Sequence, residues 1–187
     1  MPLGAARFGL LGGVADLGKL ELLQTQTISS ATANFTSLDV STYNVHLFTM
    51  SDLVVTTQTE FGLRVSDDGG SSYETTNYQF ANQRGFASGS FAERKSTGQA
   101  SIRLGGDVTT ATNSVFNGYF YMYNAGDSSK YTFFTSHNTF TSGTTYGFEF
   151  GSGVYAVAST INAIQIGEGI LGAFSSGTIS AYGIAES

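Results

Sequence analysis

No stretch of this chain sustains the apolar spacing of a helix. Runs rich in Val, Ile, Thr, Tyr and Phe alternate instead with clusters of Gly, Ser, Asn and Asp, the strand-and-turn signature of a sandwich or barrel. Glycine recurs throughout, 24 times in 187 residues, and each one inside a helix would cost about 1 kcal/mol relative to alanine. The segment at 115–123 shows the period-two pattern most clearly. It puts Phe116, Phe120 and Met122 on one face and Tyr119, Tyr121 and Tyr123 on the other, as successive side chains of a strand must point.

Ten to twelve such runs follow one another at regular spacing, at 20–28, 34–38, 43–55, 61–66, 73–80, 86–91, 99–104, 115–123, 130–136, 146–158, 161–166 and 178–184. The long third run bends near Ser51-Asp52. Asp67-Asp68-Gly69-Gly70 reads as a tight hairpin turn, Glu93-Arg94-Lys95 as a charged loop tip, and Asn124-Ala125-Gly126-Asp127 as the turn after the tyrosine strand. The expected fold is all-β: an antiparallel two-sheet sandwich of jelly-roll topology. One domain covers 20–187, and residues 1–19 form an extended, Gly-rich N-terminal arm. The arm's Leu3, Phe8, Leu10, Leu11, Val14 and Leu17 are apolar anchors suited to docking on a partner surface, with order gained on docking.

Charge and cysteine narrow the function classes. Charged residues are only 12% of the chain, about half the ordinary share, and Ser and Thr at 23 each take their place. Lys and Arg total 8, are scattered, and sit in a chain of net charge −6. A nucleic-acid surface needs clustered cations to displace counterions, so none is expected. With no cysteine, disulfides, thiolate metal sites and Cys nucleophiles are excluded. No apolar run is long enough to insert in a membrane. The start of the chain reads as the arm rather than as a secretory signal.

The residues that could carry chemistry do not assemble into a motif. His46 and His137 lie far apart with no metal-type spacing. Ser88, in Gly85-Phe86-Ala87-Ser88-Gly89, stands one place too late for a nucleophile elbow. The Asp67-Asp68 turn lacks the spaced carboxylates of a calcium loop. Glu60, Glu149 and Glu168 are candidates for a glycosidase pair only in that such pairs form in space. Asn34-Phe35-Thr36 fits a glycosylation acceptor. No catalytic residue, cofactor or metal is expected. Tyr119, Tyr121 and Tyr123 make either a packing or subunit interface, where Tyr is enriched, or a stacking platform for sugar rings; the lack of Trp disfavours the sugar.

Three passages carry a resemblance: residues 22–30 leading to Asn34-Phe35-Thr36-Ser37-Leu38; residues 63–73 followed by Asn77-Tyr78; and residues 161–166 with 174–184. Together, spanning 20–184, they resemble small β-sandwich virion structural proteins of tailed bacteriophages, of the tail-fibre or decoration type. The resemblance implies a non-enzymatic subunit on the virion surface, bound to other capsid or tail proteins. It further implies a symmetric homo-oligomer, expected as a trimer. The alternative is a lectin-like, receptor-binding module for host-surface glycans.

Overall fold

In a computed structural model the structure describes residues 19–171 and 174–185. The chain runs through β1 (Leu20–Thr27), β2 (Ala33–Phe35), β3 (Val45–Val55), β4 (Thr59–Ser66), β5 (Tyr78–Phe86) and β6 (Phe91–Gln99). It continues through β7 (Ile102–Val108), β8 (Phe116–Tyr123), β9 (Thr132–Ser142), β10 (Thr145–Tyr155), β11 (Ala163–Leu171) and β12 (Phe174–Ile184). There is no helix among the described residues. The arm anchors Leu3 to Leu17 lie outside the described residues.

The strands form two antiparallel sheets, an eight-stranded one ordered β1-β12-β3-β8-β9-β10-β5-β6 and a four-stranded one ordered β2-β11-β4-β7. Pairing is nested: β1 with β12, β2 with β11, β3 with β8 and β4 with β7. This long folded ribbon is then rolled, which adds the β12·β3 and β11·β4 pairs. The hairpins β5–β6 and β9–β10 are inserted into the ribbon and extend only the large sheet.

The core lies between the sheets because period-two alternation gives each strand one apolar face. Phe35 of β2 meets Phe48 of β3 edge-on, with ring centroids 5.5 Å apart. Phe48 stacks on Phe120 at 4.5 Å, and Phe61 of β4 meets Phe116 of β8 at 4.4 Å. Phe116, Phe120 and Met122 are fully buried, as the alternation of the tyrosine strand requires. The bend in β3 is a β-bulge between Met50 and Leu53. Asp52 takes a left-handed φ of 53° there, and its N–H donates to Asn117 Oδ1 at 2.8 Å.

Three local expectations are corrected. The run at 86–91 is the turn joining β5 to β6 rather than a strand, with Gly89 N donating to the Phe86 carbonyl at 2.9 Å. Asp67-Asp68-Gly69-Gly70 is not a hairpin turn, because β4 and β5 belong to different sheets. The segment closes on itself instead: the Asp68 carboxylate accepts from Ser66 Oγ at 2.7 Å, Ser72 N at 2.9 Å and Ser72 Oγ at 2.6 Å. These bonds, those from Ser72 foremost, hold its carboxyl down at about 2. Glu93-Arg94-Lys95 is not a loop tip but the middle of β6. Charges are tolerated there because β6 is an edge strand, where they hinder further pairing.

His46 is wholly buried on the inner side of β3, and its Nε2 donates to the Leu38 carbonyl at 2.6 Å. Its Nδ1 has no partner among the described residues. Burial pushes its pKa below the ordinary value, only partly opposed by the Leu38 bond. A depressed pKa means the unfolded chain takes up the proton more readily. Stability is therefore present above the unfolded histidine value of about 6.5 and lost as pH falls, with a slope of at most about 1.4 kcal/mol per pH unit. Thermal unfolding at pH 7 and pH 5 should show this loss, and His46→Gln should flatten it.

Candidate functional site

The two faces of the sandwich differ in chemistry. The large apolar side chains left well exposed among the described residues are Leu20, Leu22, Phe91, Tyr119, Tyr131, Phe133, Tyr146 and Phe150. All lie on strands of the large sheet or, for Tyr131, immediately before β9. The small sheet presents Asn34, Arg64 and Gln165, with Gln165 Nε2 donating to Asn34 Oδ1 at 3.1 Å.

Register places these apolar groups in rows across the outer face of the large sheet. One row runs Leu22, Tyr182, Leu47, Tyr121, Thr135, Ser152, Ala81, Lys95. The next runs Ser180, Thr49, Tyr119, His137, Phe150, Gln83, Glu93. A chain of ring contacts links Tyr123, Tyr121, Tyr119, His137, Phe150, Phe148 and Phe91, with successive centroids 5.9 to 6.3 Å apart. Tyr121 and Tyr123 stack at 24°, and Phe148 and Phe150 at 7°. From β12 to β5 the face carries no Asp, Glu, Lys or Arg in its paired rows. At the β6 edge Lys95 Nζ and Glu93 Oε2 neutralise each other at 2.9 Å. A depression of about 640 Å³ lies on this face, lined by Gln79, Ala81, Lys95, Phe133, Ser152 and Val154 among others.

The three predicted tyrosines thus share this face, and the structure adds Phe91, Phe133, Tyr146, Phe148 and Phe150 to them. All but Phe91 could have been found by running the period-two pattern along 132–142 and 145–155 as it was run along 115–123. Beside the tyrosines, the Asn117 side chain serves the β3 bulge, and Asn124 Nδ2 donates to the Tyr131 carbonyl at 3.4 Å. His137, expected at a strand end, sits mid-strand between Tyr119 and Phe150. Ser88 lies in the exposed β5–β6 turn.

The carboxylates meet elsewhere, under the extension of the large sheet. Glu60 of β4 is paired with both Arg94 of β6 and Arg103 of β7, and Arg84 of β5 with Asp107 of β7. Glu149 of β10 is fully buried and accepts from Asn82 Nδ2 at 2.8 Å, while its Oε2 has no partner. Burial raises its pKa, against the opposing pull of the Asn82 bond and of Arg94, Arg103 and Arg84. Two of the three glutamates named from sequence therefore fall in one network. One is held by two guanidiniums and the other is sealed from solvent. The side chain of Glu168 lies outside the described residues. No group of three or more His, Asp or Glu among the described residues converges as a metal site.

Asn82 and Asn138 are part of the same seam. Their amides donate to the β7 carbonyls of Arg103 at 3.0 Å and Leu104 at 2.6 Å. Each lies over a cross-strand glycine, Asn82 over Gly151 and Asn138 over Gly118. A Cβ at either glycine would collide with the Asn Oδ1 and with a backbone carbonyl.

No protein-family model matches the chain, and no curated protein resembles it closely enough in sequence to count as a relative.

Two substitutions should separate the two glutamates. Glu60→Gln leaves Arg94 and Arg103 without their shared partner and should destabilise the fold by about 2–4 kcal/mol. Glu149→Gln keeps the acceptor for Asn82 and removes a buried charge. A carboxyl whose pKa is raised by folding costs stability as pH rises above the unfolded value. Glu149→Gln should therefore raise the melting temperature at pH 7 and lose that advantage at pH 4, read by calorimetry at both.

Proposed function

We propose that this chain is a non-enzymatic, jelly-roll structural subunit exposed on the surface of a tailed-phage particle, as a decoration or fibre/spike subunit anchored through its N-terminal arm. The strand order carries this reading. With the inserted hairpins β5–β6 and β9–β10 set aside, the remaining eight strands run β1-β12-β3-β8 and β2-β11-β4-β7, and each crosses to the opposite sheet from the one before it except β7, which follows β4 within the small sheet. This order supports the double Greek key reading of a jelly roll, an architecture of viral capsid and lectin domains.

Fold alone does not assign a role, and three observations on the residues support this one. The passages that resemble phage virion proteins fall on β1 and β2, on β4 with its following loop, and on β11 and β12. Those strands are neighbours in space, as β1-β12 and β2-β11-β4. The two described glutamates that could have paired for hydrolysis are instead committed to arginines or sealed in. The most exposed apolar chemistry is a broad face suited to contact rather than a cleft suited to turnover. A lectin-like reading has one observation in its favour: the depression beside Phe133 has the volume of a small-ligand site and a wall that carries the Ser96, Thr97, Thr135 and Ser152 hydroxyls beside Lys95.

An antiserum raised against the purified chain should decorate phage particles produced from the genome that encodes it, seen by immunogold microscopy. Particles assembled with a chain beginning at Leu20 should lose that label, because Leu3, Phe8, Leu10, Leu11, Val14 and Leu17 are gone. Unlabelled particles that contain no trace of the chain by mass spectrometry would refute the virion role.

A further inference from the structure

We infer that the outer face of the large sheet is a self-association surface, with two copies of the chain packed face to face. The inference rests on the reading of this face as the working surface of the protein, and goes beyond it by naming the occupant.

Size comes first. Eight strands separated by about 4.8 Å make a face roughly 34 Å wide. Strands of 8 to 11 residues at about 3.3 Å per residue make it roughly 26–36 Å tall. The product, on the order of 900–1,200 Å², meets the ~800 Å² that each partner contributes to a standard interface. The apolar groups extend across that whole width: Leu22 on the β1 edge is 60% exposed and Phe91 on the β6 edge is 68% exposed. A sugar bound near Phe133, or one extended peptide, would cover a strip and leave one edge or the other bare. A second sheet covers both.

Charge points the same way. The chain carries 14 acidic and 8 basic residues, and copies repel in general. The rows of this face are uncharged up to the Glu93–Lys95 pair, so two faces meet without like-charge opposition. Sheets stacked face to face pack at about −30° with interdigitating side chains. The proud rings on β8, β9 and β10 supply such side chains, and the shallow Thr135, Ser152 and Ala81 row supplies the trough between them. An isologous pair needs a surface complementary to itself, and a neutral face with adjoining ridge and trough meets that condition.

The test is the solution mass of the full chain by light scattering over a concentration series, for wild type and for Phe133→Lys and Phe150→Lys. Both rings are about half exposed, so circular dichroism should show an unchanged fold. Wild type should run at twice the 19.7 kDa chain mass. Each lysine variant should run as a monomer at the same concentration, a loss of about tenfold or more in self-affinity. Asn34→Lys, on the small-sheet face, should leave the pair intact. A wild-type monomer at every concentration, a trimer, or a dimer that survives both lysines would overturn the inference. So would a monomer retained by a glycan array only while Phe150 is present, which would assign the face to a sugar. A monomer in solution that still labels particles would sink the pairing and leave the virion reading standing. A dimer absent from particles would do the reverse.

Discussion

The sandwich depends on how a four-stranded sheet is fitted to an eight-stranded one. The small sheet ends at β7, which lies over β9, β10 and β5 and has no further strand beside it. An edge strand buried in this way would leave backbone groups unpaired, at a cost of about 1–3 kcal/mol each. Asn82 and Asn138 remove part of that cost by donating to the Arg103 and Leu104 carbonyls. Gly151 and Gly118 make room for them. Around the rim, Arg84, Arg94 and Arg103 interlock with Glu60 and Asp107. Six ionisable groups, counting Glu149, thus occupy ground that a strand would cover in a symmetric sandwich. The network ties the inserted hairpins to β4 and β7 and makes them part of the fold rather than appendages.

Much of the architecture is legible in the sequence, because period-two alternation and glycine spacing are local signals. Eleven of the twelve expected runs overlap a strand, the exception being 86–91, which forms the β5–β6 turn, and the inward set Phe116, Phe120 and Met122 is separated correctly from the outward tyrosines. The errors arise where a local signal has a distant cause. Asp67-Asp68-Gly69-Gly70 carries hairpin chemistry, yet Ser66 and Ser72 satisfy Asp68 within the loop and the chain crosses between sheets. Glu93-Arg94-Lys95 looks like a solvated tip, yet Arg94 points inward to Glu60, 34 positions earlier. Nothing near either residue in sequence reveals that pairing. The same holds for the candidate face: Tyr119, Phe150 and Phe91 lie on three strands whose adjacency exists only after pairing.

What remains open at the surface follows from how the four sheet edges are closed. β1 begins with the Lys19–Glu21 pair and β6 carries Glu93 and Lys95; charges on an edge oppose pairing with another chain. β2 has only three residues, and Gln26 Nε2 donates to its Asn34 carbonyl at 2.6 Å while Gln24 Oε1 accepts from Thr36 N at 3.2 Å. β7 is capped by the asparagine amides. Growth by strand addition is thus blocked at every edge of both sheets. The outer face of the large sheet carries no such device: from β12 to β5 its paired rows hold no charged side chain, its rings are proud, and each of those strands has a paired neighbour on both sides. Guarded edges and an unguarded face favour side-chain packing between faces over strand addition as the mode of any association. That mode gives a closed assembly of fixed size, whereas edge addition gives an open one.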